Sequence, residues 1–207
     1  MPPEALENPD PTEHAERLNE RSVALMAAVK LGNHGAFTEL VQMHQQSVVG
    51  TAMRLLGNIE DAHDVAQQVF VRIWKSAVRY EPTAKFTTWM FTILRNLAFN
   101  EYRRRGRHPL QSLDADEEEF GHQLTDHATV SPDAAVEHQE LEGLVEEAIA
   151  ALPENQRMAL SLRHQEGMAY EEIAEVLQMS LSAVKSLIFR ARQELKDRLK
   201  HHFSVKD

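Results

Sequence analysis

From Ser22 onward apolar and polar residues alternate at three- and four-residue steps, with no sustained two-residue alternation, so the chain predicts helices and no strands. Val23, Met26 and Val29 lead into a Gly32-Asn33 break. Phe37, Leu40, Val41, His44, Val48, Ala52 and Leu55 then form one stripe up to Gly57-Asn58, a helix of about six turns. Residues 60–79 place Ala62, Val65, Ala66, Val69, Phe70 and Ile73 on one face and Asp61, Asp64, Gln68, Arg72 and Lys75 on the other. Glu81-Pro82-Thr83-Ala84 stops that helix, and residues 86–105 begin another with Met90, Ile93, Leu97 and Ala98 inward.

Periodicity fades over residues 108–133, which hold two prolines and the acidic run from Asp114 to Glu119, and returns with Leu141, Leu144, Val145, Ala148, Ile149 and Leu152 before Pro153. A short helix around Met158, Leu160 and Leu162 ends at Gly167. Residues 169–192, AYEEIAEVLQMSLSAVKSLIFRAR, then read as helix, tight break and helix. In a helix-turn-helix the two helices cross on apolar and small residues, which Ile173, Ala174 and Leu177 supply from the first helix and Val184, Leu187 and Ile188 from the second. Ser182, Ala183, Lys185, Ser186, Phe189, Arg190 and Arg192 remain for a DNA groove and its phosphates. The pattern predicts an all-α fold of two small helical domains, residues 22–107 and 134–203. A flexible acidic linker, 108–133, joins them, and a disordered acidic leader, 1–21, precedes them.

The formal net charge of −10 argues against a DNA binder until it is divided along the chain. Residues 1–71 carry 4 basic and 10 acidic side chains, 72–107 carry 9 and 2, 108–156 carry none and 13, and 157–207 carry 9 and 7. Two basic territories thus flank a stretch without lysine or arginine, as two nucleic-acid-facing modules on a tether would. The first territory also concentrates rings: Phe86, Trp89, Phe91, Phe99 and Tyr102 stand beside Arg95, Asn96, Asn100 and Arg103 in a chain that is 6% aromatic. Rings that stack bases and cations that pair phosphates suit single-stranded nucleic acid. Phe91 and Tyr102 read more simply as core.

Other chemistries find little support. There is no cysteine, so no disulfide or cysteine zinc site can form, and a reducing cytoplasm is the expected compartment. His44 lies on an apolar stripe and reads as a packed side chain, because no HExxH-like spacing accompanies the 11 histidines. No apolar run approaches the roughly 20 residues of a membrane span, and the acidic N-terminus does not resemble a signal peptide. No phosphate loop or metal-ligand set appears, so neither an enzyme nor a cofactor is expected.

Four segments in order, DAHDVAQQVFVRIWKS, FTTWMFTILRNLAFNEYRRR, LPENQRMALSLRHQEGMAYEEIAEVLQMS and SAVKSLIFRARQEL, resemble the bacterial sigma-70 family, in its extracytoplasmic function (ECF) branch. The resemblance covers residues 22 to about 200 and implies a promoter-specificity subunit without catalytic chemistry. It implies that Asp61, Asp64, Gln67, Gln68, Phe70, Arg72 and Trp74 lie in the helix that docks on core RNA polymerase; Phe70 and Trp74 can instead anchor it internally. Recognition and melting of the minus-ten element would fall to Thr83, Ala84, Lys85, Phe86, Thr88, Trp89, Asn96, Asn100 and Arg103, where a base leaves the stack at a cost of a few kcal/mol. Reading of the minus-thirty-five duplex would fall to Lys185, Ser186, Phe189 and Arg190, with Ser182 and Ala183 at the groove and Arg163 and Arg192 on phosphates.

The expected partners are core RNA polymerase, promoter DNA as duplex and as melted strand, and an anti-sigma factor, with no direct membrane insertion. Two residues depart from the family pattern. Ala169 stands where a capping serine or threonine is usual, a loss of about 1 kcal/mol, and Gln178 stands at a turn position often held by glycine. The acidic linker would either mimic phosphates in the polymerase channel or serve as a solvated tether. A free-standing regulator would share the helix-turn-helix but would bring a receiver or ligand domain, which an all-helical first domain does not provide.

Overall fold

The computed structural model describes residues 11–107 and 143–204, and every regular element among them is helical. The order is α1 (Pro11–Lys30), α2 (His34–Leu56), α3 (Ile59–Ser76), a 3-10 turn (Ala77–Arg79), α4 (Phe86–Arg107), α5 (143–150), α6 (Glu154–His164), α7 (Tyr170–Leu177) and α8 (Leu181–Ser204). The expected linker 108–133 lies outside the described residues.

Both glycine-asparagine breaks join helices by one device. Gly32 and Gly57 take left-handed backbone, φ 84° and 68°, which ends the preceding helix without a Cβ penalty. The asparagine that follows accepts a backbone N–H of the next helix: Asn33 Oδ1 from Ala36 N and Asn58 Oδ1 from Asp61 N, each at 3.0 Å. Such short joints turn α1, α2 and α3 back on one another, and Met26, Leu40, Val48, Ala52, Val69 and Ile73 close their core.

The leader expected to be disordered through residue 21 is helical from Pro11. Long-range contacts hold that helix where local propensity alone would not. Arg21 pairs with Glu39 at 2.6 Å. Asn19 Oδ1 accepts the Phe86 N–H at 2.8 Å and so satisfies a free donor at the start of α4. Ser22 Oγ lies 2.8 Å from Leu18 O and 2.8 Å from His44 Nε2. His44 is 2% exposed with its ring 5.0 Å from that of Phe86, and burial holds its pKa down at about 4.

In the second half α6, α7 and α8 pack through Met158, Leu162, Ile173, Val176, Val184 and Ile188, and a small satellite of Leu152, Leu160 and Ala191 lies beside Ile149 and Leu195. The two halves meet along a seam, α4 on α7 and α2 on α6, and one continuous apolar cluster crosses it. Polar groups stitch its length. Arg157, 5% exposed, donates to Leu55 O at the end of α2 (2.8 Å) and to Leu152 O (3.0 Å), and its guanidinium carbon stands 5.8 Å from the Tyr102 ring centroid. Glu166 accepts from Ser47 Oγ and, at 3.2 Å, from Thr51 Oγ1. Burial raises the Glu166 pKa, while Ser47, Thr51 and Arg54 pull it back.

Candidate nucleic-acid interface

Three polar surfaces correspond to the three groups of predicted residues. On α3, Asp64, Gln67, Gln68 and Arg72 are exposed along one face, whereas Asp61 is half-buried in the first turn. Phe70 is 8% exposed and belongs to the core, so of the two aromatics it is an anchor of the helix rather than a contact. Trp74 is half-buried, stacked on His34 at 4.9 Å with the Phe37 ring edge-on at 5.0 Å. Val71, 44% exposed, completes this face, and sequence periodicity alone did not single it out.

The second surface runs from the loop before α4 along that helix. Thr83, Ala84 and Lys85 are exposed, as are Asn96, Asn100 and Arg103, which share a side at helical spacing. Phe86 is 0% and Thr88 3% exposed, so the expectation that they touch DNA gives way to a supporting role; the Phe86 ring lies 5.0 Å from that of His44 on α2 and its N–H is bonded to Asn19 of α1. Trp89 is half-buried, its ring 4.8 Å from Tyr80 and 5.9 Å from Phe86, which fixes its plane beside the exposed loop. Phe91 is core as expected, and Phe99, a stacking candidate by composition, is buried as well. Tyr102 departs from the core reading, 45% exposed beside the Arg157 guanidinium.

Arg95, read from the sequence as one of the basic side chains of this span but not among the minus-ten residues, is engaged on this surface. Its Nη1 donates to Leu177 O across the seam at 2.9 Å, and its Nε and Nη2 donate to Asn96 Oδ1 at 3.2 and 2.6 Å. Burial, with Arg103 nearby, lowers its pKa. A cavity of about 460 Å³ opens here between Arg95, Asn96, Asn100 and Arg103 on one wall and Glu154, Asn155, Leu177 and Met179 on the other. Lys85 meets Glu172 of α7 at 2.8 Å. The aromatic and basic composition of residues 86–105 was legible; the partners that now occupy those cations come from 70 to 90 residues downstream and left no local sign.

The third surface is α8. Ser180 Oγ accepts the Ala183 N–H at 3.2 Å and starts the helix. Val184, Leu187, Ile188 and Ala191 are buried beneath it. Ser182, Lys185, Ser186, Phe189 and Arg190 are exposed on the outer side, Phe189 to 63%, while Ala183 is half-buried. Arg192 is exposed elsewhere: two residues past Arg190 it is turned by about 200° around the helix. There it lies 3.4 Å from His164 Nε2 and lines an apolar groove of about 640 Å³ with Leu160, Leu195 and Leu199. Arg163 is half-buried, donates to Met168 O at 2.9 Å and stands 5.0 Å from the Tyr170 ring centroid. It ties the turn after α6, and neither arginine shares the outer side of Lys185 and Arg190.

The two departures from the family pattern are visible in the turn. Ala169 has no side-chain acceptor, and Glu172 Oε2 instead accepts the Ala169 N–H at 2.8 Å. Gln178 ends α7 in left-handed backbone, φ 56° and ψ 45°, the only non-glycine residue with positive φ among those described. Among the described residues no group of three histidine or acidic side chains is placed to hold a metal ion, and no helix is long and apolar enough to cross a membrane.

Comparison with known proteins separates the same two halves. Residues 40–108 match Sigma-70 region 2, and residues 142–195 match Sigma-70, region 4. The chain is 36% identical over 180 residues to the RNA polymerase sigma-H factor of Pseudomonas aeruginosa, covering 85% of this chain and 92% of that one. It is 33% identical over 189 residues to the ECF RNA polymerase sigma-E factor of Haemophilus influenzae, covering 89% and 97%. The solved structure of CnrH in complex with the cytosolic domain of CnrY superposes with a TM-score of 0.65 at 26% identity, over 87% of this chain and 98% of that one.

Proposed function

We propose, from the premise that this chain belongs to the sigma-70 family as an ECF RNA polymerase sigma factor, that its three polar surfaces divide the work of transcription initiation. The factor binds core RNA polymerase, directs it to specific promoters and promotes strand opening. The exposed face of α3, Asp64, Gln67, Gln68 and Arg72 with Asp61 at its start, docks on polymerase. The Thr83–Lys85 loop, Trp89 and the Asn96, Asn100 and Arg103 row take the minus-ten element as melted strand. Lys185, Ser186, Phe189 and Arg190 read the minus-thirty-five element as duplex, in which a basic fork suits guanine and an exposed ring suits a thymine methyl. The division into a minus-ten domain, residues 22–107, and a minus-thirty-five domain, residues 134–203, follows those tasks. CnrH is held by the cytosolic domain of a second protein, and an anti-sigma partner is proposed for this chain by the same logic.

The observation that carries this reading is the polar row on α3, exposed on a helix whose opposite face is wholly core, beside a helix-turn-helix with an exposed basic and aromatic side. Co-purification with core polymerase and run-off transcription over a promoter library test it. Replacing Asp64 and Gln68 together by alanine should abolish polymerase association while far-ultraviolet circular dichroism stays unchanged. Undiminished binding of that double variant would remove α3 from the role.

A further inference from the structure

One pole of the first half leaves apolar side chains in water. Five large apolar residues are exposed among those described, and three of them, Leu31 at 89%, Val78 at 69% and Val71 at 44%, lie around the His34–Trp74 stack. Leu31 stands in the α1–α2 joint, three residues before His34, so the two backbones are within about 10 Å of each other. Val71 and Val78 stand about one turn before and one turn after Trp74. The 3-10 turn packs on α1, which brings the ends of α1 and α3 to the same pole. Single exposed apolar residues are ordinary on a protein surface, but three around one indole make a patch.

The charges beside the patch are of one sign. Lys30, Lys75 and Arg79 are exposed, and none is hydrogen-bonded or ion-paired with a described residue. Cations suit the negative ends of α1 and α3 in any case, but that does not account for large apolar side chains left in water among them. Of the nearby acids, Glu39 is bound by Arg21, and Glu81 is exposed two residues beyond Arg79. Glu13 and Glu16, at the start of α1, are about 20 to 25 Å from Lys30 along the helix, well beyond the roughly 8 Å over which charges act at physiological salt. The net charge of −10 therefore does not set the sign of this pole. We propose that the pole docks on the surface of an anionic lipid bilayer, with Leu31 and Val78 entering the headgroup boundary, Trp74 at its level, and Lys30, Lys75 and Arg79 on lipid phosphates. The apolar groups project from a joint, a turn and a helix end, so a yielding surface accommodates them where a rigid partner would need a matching hollow for each. The docking is peripheral, because no helix among the described residues is long and apolar enough to cross a membrane.

Co-sedimentation of the full-length chain with phosphatidylcholine vesicles, with and without phosphatidylglycerol, tests this. The chain should bind the anionic vesicles, release them in high salt and ignore the neutral ones. Leu31→Ser with Val78→Ser, both exposed enough to leave the core untouched, should weaken binding about tenfold. Lys75→Ala or Arg79→Ala should each weaken it about fivefold, whereas Lys196→Ala, exposed on α8, should change nothing. Because α8 also exposes a ring among cations, Phe189 beside Lys185 and Arg190, the site of contact has to be read as well. The chain contains no cysteine, so an environment-sensitive dye on Leu31→Cys, or in a second chain on Gln193→Cys one turn from Phe189, reports contact through quenching by brominated lipid. Quenching at 31 and not at 193 is the expected result. The reverse would overturn the proposal and give vesicle binding to α8. Equal affinity for neutral vesicles, or undiminished binding of the double serine variant, would overturn it too. Refusal of anionic vesicles by the wild-type chain would remove the bilayer as occupant and leave an acidic protein surface in its place. Concentration-dependent dimers in light scattering, lost in the double serine variant, would assign the pole to a second copy instead.

Discussion

The two surfaces proposed to face DNA are built in opposite ways. On α8 the outer side chains stand in solvent and make their hydrogen bonds within their own helix, Ser186 Oγ to Ser182 O at 3.0 Å and Arg190 Nε to Ser186 O at 3.3 Å. On the α4 side Lys85 and Arg95 are bonded to a different part of the chain, and Phe86, Phe91 and Phe99 beside them are buried in the core. In the roles proposed for them, the α8 surface is ready as it stands, whereas the α4 surface must exchange partners before it can act. A duplex can be read from outside by a rigid helix, but a single strand has to be held against a surface, and the same groups that hold it can be held by protein in the meantime.

The strongest way to break this contrast is at the seam. Arg157→Ala removes two charge-assisted hydrogen bonds and leaves a cavity below Leu55 and Leu152, and should cost about 3 to 5 kcal/mol. Thermal unfolding would register the loss. Acid should come next and should strike the α4 side. His44 has its pKa lowered from the usual 6.5 to about 4 by burial, so its contribution is fully present above pH 6.5 and is lost as pH falls towards 4. That amounts to about 3 kcal/mol over the window. Both tryptophans, Trp74 and Trp89, lie in the first half, so their fluorescence against pH reports it directly. A His44→Gln chain, which cannot titrate there, should show a flatter profile.

A smaller effect sharpens the contrast in function. Lys185→Ala or Arg190→Ala should weaken use of the upstream duplex element by about 1 to 3 kcal/mol, and a template already melted across its minus-ten region should not restore it. Lys85→Ala or Trp89→Ala should instead be rescued by that template. Equal rescue of both pairs, measured as run-off transcript, would erase the distinction. Least of all, Gln178→Gly should stabilise the helix-turn-helix by about 1 kcal/mol, because glycine adopts left-handed backbone without strain; a lower melting temperature would show that the glutamine side chain contributes more than its backbone strain costs.

The same contrast explains what could be read from the sequence. The α8 side was legible because helical spacing alone decides which of Val184, Lys185, Leu187 and Phe189 turn inward. Each Gly-Asn joint announced itself for a similar reason, since both halves of the device are adjacent in sequence. The α4 side was legible only in composition. That Phe86 is buried depends on α1 and α2 lying against it, and that Lys85 and Arg95 are engaged depends on α7. That Arg163 ties the turn after α6 and that Arg192 lies beside His164 was not legible, because both partners are set by how α6, α7 and α8 pack. Residues 11–21 read as leader because their order comes from Glu39 and from the start of α4, 18 and 67 residues away.

That last contact sets a limit on how the molecule can be divided. Asn19 completes the first turn of a helix that begins at Phe86, and Leu25, Met26 and Val29 of α1 fill the core beneath it. The recognisable family segment starts at residue 40, so a fragment cut to that boundary would keep every residue assigned to promoter melting and lose the support that shapes them. The region 2 segment is shorter than the unit that folds, and a working first domain has to keep the part of α1 that carries Asn19, not begin at residue 40.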